Sequence, residues 1–424
     1  MKIMVVGGGG REHAIIRKIG ENPEVQAIYA LPGNAGIASQ AACVPVSATD
    51  IGGIVRFARE NGVDFAVVAP DDPLALGAVD ELHAIGIPCF GPERAAARIE
   101  SIKAFAKQLM KKYRIPTAQF EVFEDADSAL AYVREADRPL VVKADGLALG
   151  KGVLICMTRQ EAEDAVNAMM RDHRFGRSGA RVVIEEYLEG PEVSVLSFTD
   201  GHVVRPMVAS MDHKRACDGD TGLNTGGMGA IAPNPFYTEE IAERCMNEIF
   251  LPTIRAMREE GCPFKGCLYF GLMLTKDGPK VIEYNCRFGD PETQAVLPLL
   301  KSDLLTIMRA VENETLAETE VEFANAASCC VMLASGGYPE KYEKGKKIDF
   351  GASESMAEVF HSGTARDESG NFVTAGGRVL GVCCERGTLP EAIAASYAAA
   401  KEIRFDKMHF RSDIGARALR VTEV

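Results

Sequence analysis

Val281 to Glu292 reads Val-Ile-Glu-Tyr-Asn-Cys-Arg-Phe-Gly-Asp-Pro-Glu, and its polar residues are spaced for joint chemistry. The first half alternates like a β-strand, in which side chains two apart share a face. Glu283, Asn285 and Arg287 therefore fall together, while Ile282, Tyr284 and Cys286 face the packing side. A carboxylate beside a carboxamide oxygen suits Mg²⁺, a hard cation that takes oxygen ligands. The guanidinium next to them, always charged, suits a phosphate or a carboxylate. Gly289-Asp290-Pro291-Glu292 then reads as a helix start, with Asp290 as N-cap and Pro291 at N1. The plainer reading of the same stretch is a half-buried strand with a solvated polar face.

A second group of residues could hold phosphates. A helix expected over about Ser101 to Tyr113 carries Lys103, and a strand from Pro139 to Ala144 carries Lys143. The loop Asp145-Gly146-Leu147-Ala148-Leu149-Gly150-Lys151-Gly152-Val153 follows. It is not a Walker A loop: Gly146 and Gly150 bracket only three residues, and Gly152 stands where a magnesium-binding hydroxyl would be needed. It reads either as a glycine flap whose amides and Lys151 close over phosphates, or as a hairpin with one exposed lysine. Arg181 to Leu188 is a strand running into a hinge, with Glu192 just beyond. Such a hinge offers backbone groups to a purine edge and a carboxylate to ribose hydroxyls. Glu185, Glu186, Glu189 and Glu192 read equally well as a solvated acidic rim.

The elements that must position these residues are α/β in kind. Short apolar strands at Lys2–Val6, Val25–Ala30, Asp64–Ala69 and Ile87–Phe90 alternate with helical stretches, which predicts a parallel, Rossmann-like sheet. Its first loop, Gly7-Gly8-Gly9-Gly10-Arg11-Glu12-His13, fails the dinucleotide fingerprint because Glu12 or His13 occupies the last glycine position. What remains is a glycine turn at a helix N-terminus, suited to a phosphate, with Pro32-Gly33-Asn34-Ala35-Gly36 as a second source of amides. Ser210 to Ala230 shows neither helix nor strand period, and loops of that length are usually functional or disordered. It contains Asp212-His213-Lys214-Arg215 and Asn224-Thr225-Gly226-Gly227-Met228-Gly229. His213 alone reads as a surface or hydrogen-bonded histidine rather than a base. A hairpin turning at Lys276-Asp277-Gly278 leads into the opening strand, and from about Ala327 a small α+β unit closes the chain.

Composition narrows the class. The 424 residues suffice for two to four domains, and 47% apolar with 25% charged residues is ordinary for a globular protein. The net charge of −13 argues against a nucleic-acid binder, which needs a basic footprint. No apolar run is long enough for a bilayer and the opening residues do not read as a signal peptide, so no membrane partner is expected. The 12 cysteines show no zinc spacing, and Cys329-Cys330 and Cys383-Cys384 sit inside apolar runs as core thiols. A reducing, cytoplasmic compartment fits.

Lys143, the glycine flap, the hinge, Glu192 and Glu283-x-Asn285, in this order, resemble the ATP-grasp ligases, in which two α+β lobes hold ATP between them. The longer strings resemble one family of that superfamily, the phosphoribosylamine–glycine ligases (glycinamide ribonucleotide synthetases). They are Gly9-Gly10-Arg11-Glu12-His13, Pro32-Gly33-Asn34-Ala35-Gly36, Lys143-Ala144-Asp145-Gly146-Leu147-Ala148, Asp212-His213-Lys214-Arg215, Asn224-Thr225-Gly226-Gly227-Met228-Gly229 and Asn285 through Thr293. The resemblance spans the whole chain. It departs at Gly8, at Ala69-Pro70-Asp71 and at Ile102, and strand Cys267–Leu274 lacks the acidic metal ligand of many ATP-grasp enzymes.

The resemblance implies an α/β and α+β multidomain chain. A Rossmann-like domain would cover 1–104, a metal and substrate lobe 105–121 with 193–326, a lid lobe 122–192, and an α+β C-terminal domain 327–424. It implies ligation of glycine to 5-phosphoribosylamine through glycyl phosphate, with ATP as co-substrate and Mg²⁺ or Mn²⁺ as cofactor. Another ATP-grasp ligase or carboxylase of purine synthesis is the alternative. Arg287, Lys214 and Asp212 would be catalytic, and Glu283 and Asn285 would hold the metal. Lys103, Lys143, Gly146, Gly150, Lys151, Gly152, Glu185, Glu186, Leu188 and Glu192 would bind ATP. Gly10, Gly33, Asn34, Asn224, Gly226, Gly227 and Asp290 would bind substrate. A monomer or weak homodimer acting on small molecules is expected.

Overall fold

The N-terminal apolar runs pair in parallel. The computed structural model describes residues 1–148 and 152–422, so Gly150 and Lys151 lie outside the described residues. Strands β1 (Lys2–Gly7), β2 (Ala27–Pro32), β3 (Ala42–Cys43), β4 (Phe65–Val68) and β5 (Cys89–Phe90) form one sheet in the order 3-2-1-4-5. Every residue of β4 is buried, and all of β1 but its first, which is why they read as unbroken Val/Ile runs. Parallel pairing sends the loops after β1, β2 and β4 to one edge of the sheet.

The helix expected over about Ser101 to Tyr113 is found at Lys103–Tyr113, separated by extended backbone at Ile102 from a preceding helix, Arg94–Ser101. The break makes Lys103 the first residue of the second helix. An antiparallel sheet follows, built from β6 (Phe120–Phe123), β7 (Leu140–Ala144), β8 (Val153–Cys156) and β9 (Val182–Glu186) in the order 6-9-7-8. Its buried face packs on two helices through Leu130, Val133, Ala162 and Val166.

From there β10 (Glu192–Thr199) and β11 (Val204–Pro206) lead to β12 (Met211–Asp212), the ribbon β13 (Arg215–Cys217) and β14 (Thr221–Asn224), and β15 (Gly229–Ala232). The stretch expected as loop thus carries strands, each of two to four residues and too short to show a period. The hairpin β16 (Gly266–Thr275) and β17 (Gly278–Asn285) completes an antiparallel sheet in the order 11-10-16-17. Gly271 faces Glu283 while Leu272 faces Val281, so Ile282 is the extra residue of a β-bulge.

The C-terminal part contributes β18 (Ala327–Ser335), β19 (Glu358–His361), the ribbon β20 (Thr364–Arg366) and β21 (Phe372–Thr374), β22 (Arg378–Arg386) and β23 (Met408–His409). Its sheet runs 12-15-18-22-19, with β23 beside β18. Strands β12 and β15, which lie on the N-terminal side of residue 327, therefore belong to the C-terminal sheet. The motif Asp212-His213-Lys214 is built into a surface that two parts of the chain share.

Candidate functional site

The bulge at Ile282 organises the cleft between the β6–β9 sheet and β17. An unpaired bulge residue leaves its carbonyl free for another donor, and Lys143 at the end of β7 supplies one, its Nζ donating to Ile282 O at 2.9 Å. Lys143 also lies 2.9 Å from Glu185 Oε1. Lys103 donates to Gly146 O at 2.9 Å, which ties the helix start to the glycine loop. Asp145 receives Ala104 N at 2.6 Å and Arg181 Nε at 2.6 Å. Gly146 lies against Ser178, where a Cβ would come within 2.6 Å of the hydroxyl, and Gly152 accepts the Ala144 amide. At the hinge, buried Leu188 packs with Ala118, Met273 and Ile282, an apolar wall of the kind a purine ring can use. The Glu186 carboxylate turns outward to the Gln119 amide, Arg138 and Lys280.

Beyond the bulge, Glu283, Asn285 and Arg287 each stay partly accessible, while Tyr284 and Cys286 are buried. Lys214 crosses from the β12–β13 segment to within 3.3 Å of Glu283 Oε1 and 3.6 Å of Glu192. Lys214, working against burial and helped by Lys143, holds the Glu283 carboxyl at about 2, and Glu283 in turn pushes the Lys214 ammonium well up. Arg287 Nη2 donates to Asn285 Oδ1 at 3.1 Å and to Glu100 Oε1 at 2.9 Å. Burial lowers the Lys103 pKa, with Glu283 acting in the opposite direction. Lys103, Lys143 and Lys214 thus all act on Glu283, and Arg287, two residues past the end of β17, reaches back to Asn285.

A second cluster forms where all three parts of the chain meet. Asp290 is not the expected N-cap: the helix is Glu292–Val296, preceded by Pro291, and Asp290 instead pairs with Arg378 of β22 at 3.3 Å and with Gln294 at 2.8 Å. A guanidinium and an amide brought in from outside the local turn take the carboxylate that local geometry had offered to backbone amides. Arg378 Nη1 also donates to Gly226 O at 2.7 Å and Asp290 O at 2.7 Å, and Tyr338 OH accepts from Gly226 N. Gly227 sits at φ +114°, with Asp212 and Pro291 closing over its α-carbon. Asp212 Oδ1 is buried without a hydrogen-bond partner among the described residues, and burial, then Glu292, pushes its carboxyl well up. Asn224 pairs with Arg215 at the end of the ribbon, two residues before Gly226.

The glycine turn after β1 is partly accessible at Gly8 and Gly9 and buried at Gly10. The Gly9 amide is taken by Glu12 at 2.5 Å, and Gly10 lies under Gln294 and Ser362. Asn34 donates to Gly8 O at 3.0 Å and His361 O at 2.7 Å, and receives the amides of Gly36 and Ile37, while Gly33 donates to Gly7 O. The loops after β1 and β2 are therefore bound to each other and to the C-terminal sheet. His213 is a structural tie, as its lone reading suggested. Its Nε2 accepts from Gly415 N at 3.1 Å, Nδ1 faces Gly229 O at 3.2 Å, and burial holds it at about 4.

Four charges at these junctions, buried Glu100, Lys107 and Glu292 and part-buried Arg378, went unread. Glu100 and Lys107 carried a usable signal, because each lies on the apolar face of its helix among Ala96, Ala97 and Ile99, or Ala104, Leu109 and Met110. Arg378 and Glu292 carried none locally.

An ATP-grasp enzyme is the class that the lobe arrangement defines. A family model described as "Phosphoribosylglycinamide synthetase, ATP-grasp (A) domain" matches residues 101–293. Biotin carboxylase of Campylobacter jejuni shares the fold, with a TM-score of 0.72 at 15% identity over 96% of this chain and 92% of that one. Models of the N and C domains of phosphoribosylglycinamide synthetase match residues 1–100 and 328–417. Phosphoribosylamine–glycine ligase of Vibrio vulnificus is 48% identical over 99% of both chains. The crystal structure of phosphoribosylamine–glycine ligase from Thermotoga maritima superposes with a TM-score of 0.84 at 32% identity, over 98% of this chain and 100% of that one. The chain belongs to the phosphoribosylglycinamide synthetase family. Among the described residues no helix is long and apolar enough to cross a membrane.

Proposed function

We propose that this chain ligates glycine to 5-phosphoribosylamine, with ATP converted to ADP and phosphate and glycinamide ribonucleotide as product. A carboxylate does not acylate an amine at useful rates, so ATP first phosphorylates glycine. Phosphoryl transfer asks a protein mainly for position and charge stabilisation. The observation that carries the reading is the convergence of Lys103, Lys143 and Lys214 on Glu283, with Arg287 bonded to Asn285 just past the strand end. That arrangement gives an acidic protein one locally cationic cleft for a polyphosphate. Lys103 and Lys143 meet the phosphates, Arg287 and Lys214 face the transferring group, and Leu188 with the hinge takes the base. The amine of phosphoribosylamine then attacks glycyl phosphate at its acyl carbon and expels phosphate. The Asp212, Gly226, Gly227 and Asp290 cluster, with the Gly10 and Asn34 loops, holds that substrate.

Glu283 and Asn285 fit a hard divalent ion. The Glu283 carboxylate is ionised and one-third exposed, and the Asn285 oxygen keeps a lone pair beyond the one Arg287 uses. Mg²⁺ or Mn²⁺ held there would neutralise phosphate charge. The same reading divides the chain at 1–104, 105–121 with 193–326, 122–192 and 327–424. It places the chain in the cytoplasm as a monomer or weak homodimer without nucleic-acid partners.

Glycine labelled with ¹⁸O in its carboxylate tests the reaction. One labelled oxygen is expected in inorganic phosphate, with ADP release dependent on glycine and phosphoribosylamine. Release driven by bicarbonate or formate instead would move the chain to a different ligase, and unlabelled phosphate would overturn the acyl-phosphate route.

A further inference from the structure

Lys107 lies on the helix Lys103–Tyr113 with its side chain 3% exposed, and no step above uses it. Its ammonium is 2.9 Å from Glu185 Oε2 and donates to Thr117 Oγ1 at 2.7 Å. Glu185, itself 2% exposed, turns its other oxygen to Lys143 at 2.9 Å. The Thr117 hydroxyl donates to Val281 O at 2.6 Å, and Lys143 donates to Ile282 O at 2.9 Å. One network therefore runs from that helix through β9 and β7 to the two residues before Glu283.

The network sets two ammonium groups against one carboxylate, Glu185, with Glu283 acting on Lys143 from the cleft side. Buried ammonium groups are costly unless anions meet them. Lys107 cannot be the group that meets a ligand: Glu185, Thr117 and the ring of Phe120, 5.7 Å away, enclose its ammonium. Lys143 can: Glu185 and Ile282 O take at most two of its three N–H donors, and its side chain keeps 8% exposure.

We infer that Lys107 is a positioning residue: it holds the Glu185 carboxylate in place, which leaves the Lys143 ammonium to meet the phosphates of a nucleotide. The inference rests on the ATP-dependent reading above and adds the residue on which its phosphate contact depends. Burial brings the Lys107 ammonium down to about 8, with Glu185 pulling the other way and Lys143 adding to the fall. Without Lys107, Glu185 would have Lys143 as its sole buried counter-ion and would retain it.

The test is the binding of ADP and of adenosine to the full chain by titration calorimetry without added metal. A charge-assisted hydrogen bond lost from a ligand weakens binding by roughly ten- to a hundredfold. Lys107→Met is expected to lose that much ADP affinity while adenosine affinity stays within about twofold, because adenosine carries no phosphate for Lys143 to meet. Should Lys107→Met not fold, Thr117→Val removes the hydroxyl that holds the ammonium and leaves every charge in place. Roughly a threefold loss confined to ADP is expected there, as for one neutral hydrogen bond. Unchanged ADP affinity, or equal losses for ADP and adenosine, would overturn the inference and leave Lys107 a packing residue. A wild-type chain that binds neither ADP nor ATP would instead remove the ATP-dependent reading itself.

Discussion

Arg287 Nη2 donates at once to Asn285 Oδ1, at 3.1 Å, and to Glu100 Oε1, at 2.9 Å, so the anion clamp and a candidate metal ligand are fixed by one guanidinium. Glu100 is buried, and its burial, opposed by Arg287, raises its pKa. The strand face that sequence alternation placed together is thus anchored from behind by a helix of the preceding segment.

That relationship separates two substitutions two turns of the pleat apart. Glu283→Gln keeps shape and removes the charge that would hold a divalent ion, so its loss of activity should ease as Mg²⁺ is raised. Arg287→Lys keeps a cation near Glu100 but gives up the fork that reaches Asn285 as well. Loss of one donor to a developing oxyanion costs about 10²–10³ in rate, or roughly 3–4 kcal/mol. That deficit should fall on kcat and should not respond to Mg²⁺. Glycine-dependent ADP release across a Mg²⁺ titration measures both. Equal rescue of the two variants would mean that Arg287 acts only through the metal.

Arg378 should behave as a clamp between the C-terminal sheet and the Gly226–Gly227 turn. It serves Gly226 O, Asp290 O and the Asp290 carboxylate with one planar group. Arg378→Lys cannot reproduce that fork, and unpaired buried acceptors cost about 1–3 kcal/mol each. The expected result is a rise in the KM for phosphoribosylamine with the KM for ATP within about twofold, since the turn lies outside the nucleotide cleft. A shift in both constants together would place Arg378 in general folding stability.

How much of this could be read beforehand depended on the range of the contacts. The parallel sheet, the two lysines and the Glu283-x-Asn285 face come from local periodicity and from long motif strings. The bulge at Ile282 did not, because one extra residue in a hairpin leaves the apolar alternation nearly intact while moving a carbonyl to Lys143. Asp290 misled for a related reason. Its neighbours spell a cap, and its partner Arg378 is supplied from a distant strand. Strands β12 and β15 were hidden because their hydrogen bonds go to each other and to β18 rather than to a hairpin neighbour.

Gly227 and Gly62 make a matched pair for testing the turn. Both lie at positive φ, +114° and +60°. A Cβ on Gly62 would meet nothing within 4 Å, whereas on Gly227 it would stand 2.4 Å from Pro291 Cδ and 2.6 Å from Asp212 Oδ1. Gly62→Ala should cost about 1–2 kcal/mol of stability, the strain of a left-handed residue, with normal kcat. Gly227→Ala adds overpacking worth roughly 1–3 kcal/mol, and it must displace Asp212. Urea midpoints with turnover on the same samples separate the two. Normal kcat in Gly227→Ala would show that the Asp212 position is not critical.

Acid should loosen the chain through three histidines that fold neutral. Burial, then His361, brings His13 to about 3; burial, then Arg411, brings His213 to about 4; burial, then Arg366, brings His361 to about 4. Each has 6.5 as its ordinary value, so the unfolded chain binds the extra proton first. Their contribution is therefore complete above 6.5 and is lost as pH falls from there toward the folded values. Between pH 6.5 and about 5.5 the loss is about 1 kcal/mol per histidine, or about 3 for the set. Geometry says where it is felt. His13 Nδ1 accepts the His361 amide at 2.8 Å and His213 Nε2 accepts the Gly415 amide at 3.1 Å, so protonation at either nitrogen breaks a tie to the C-terminal part. Thermal midpoints at fixed ionic strength should fall over this window, with hydrogen exchange rising first at the His361 and Gly415 amides. His213→Gln, which keeps an acceptor and cannot titrate, should remove about a third of the pH dependence. A midpoint that stays flat from pH 6.5 to about 5.5 would mean that these histidines meet water in the native chain.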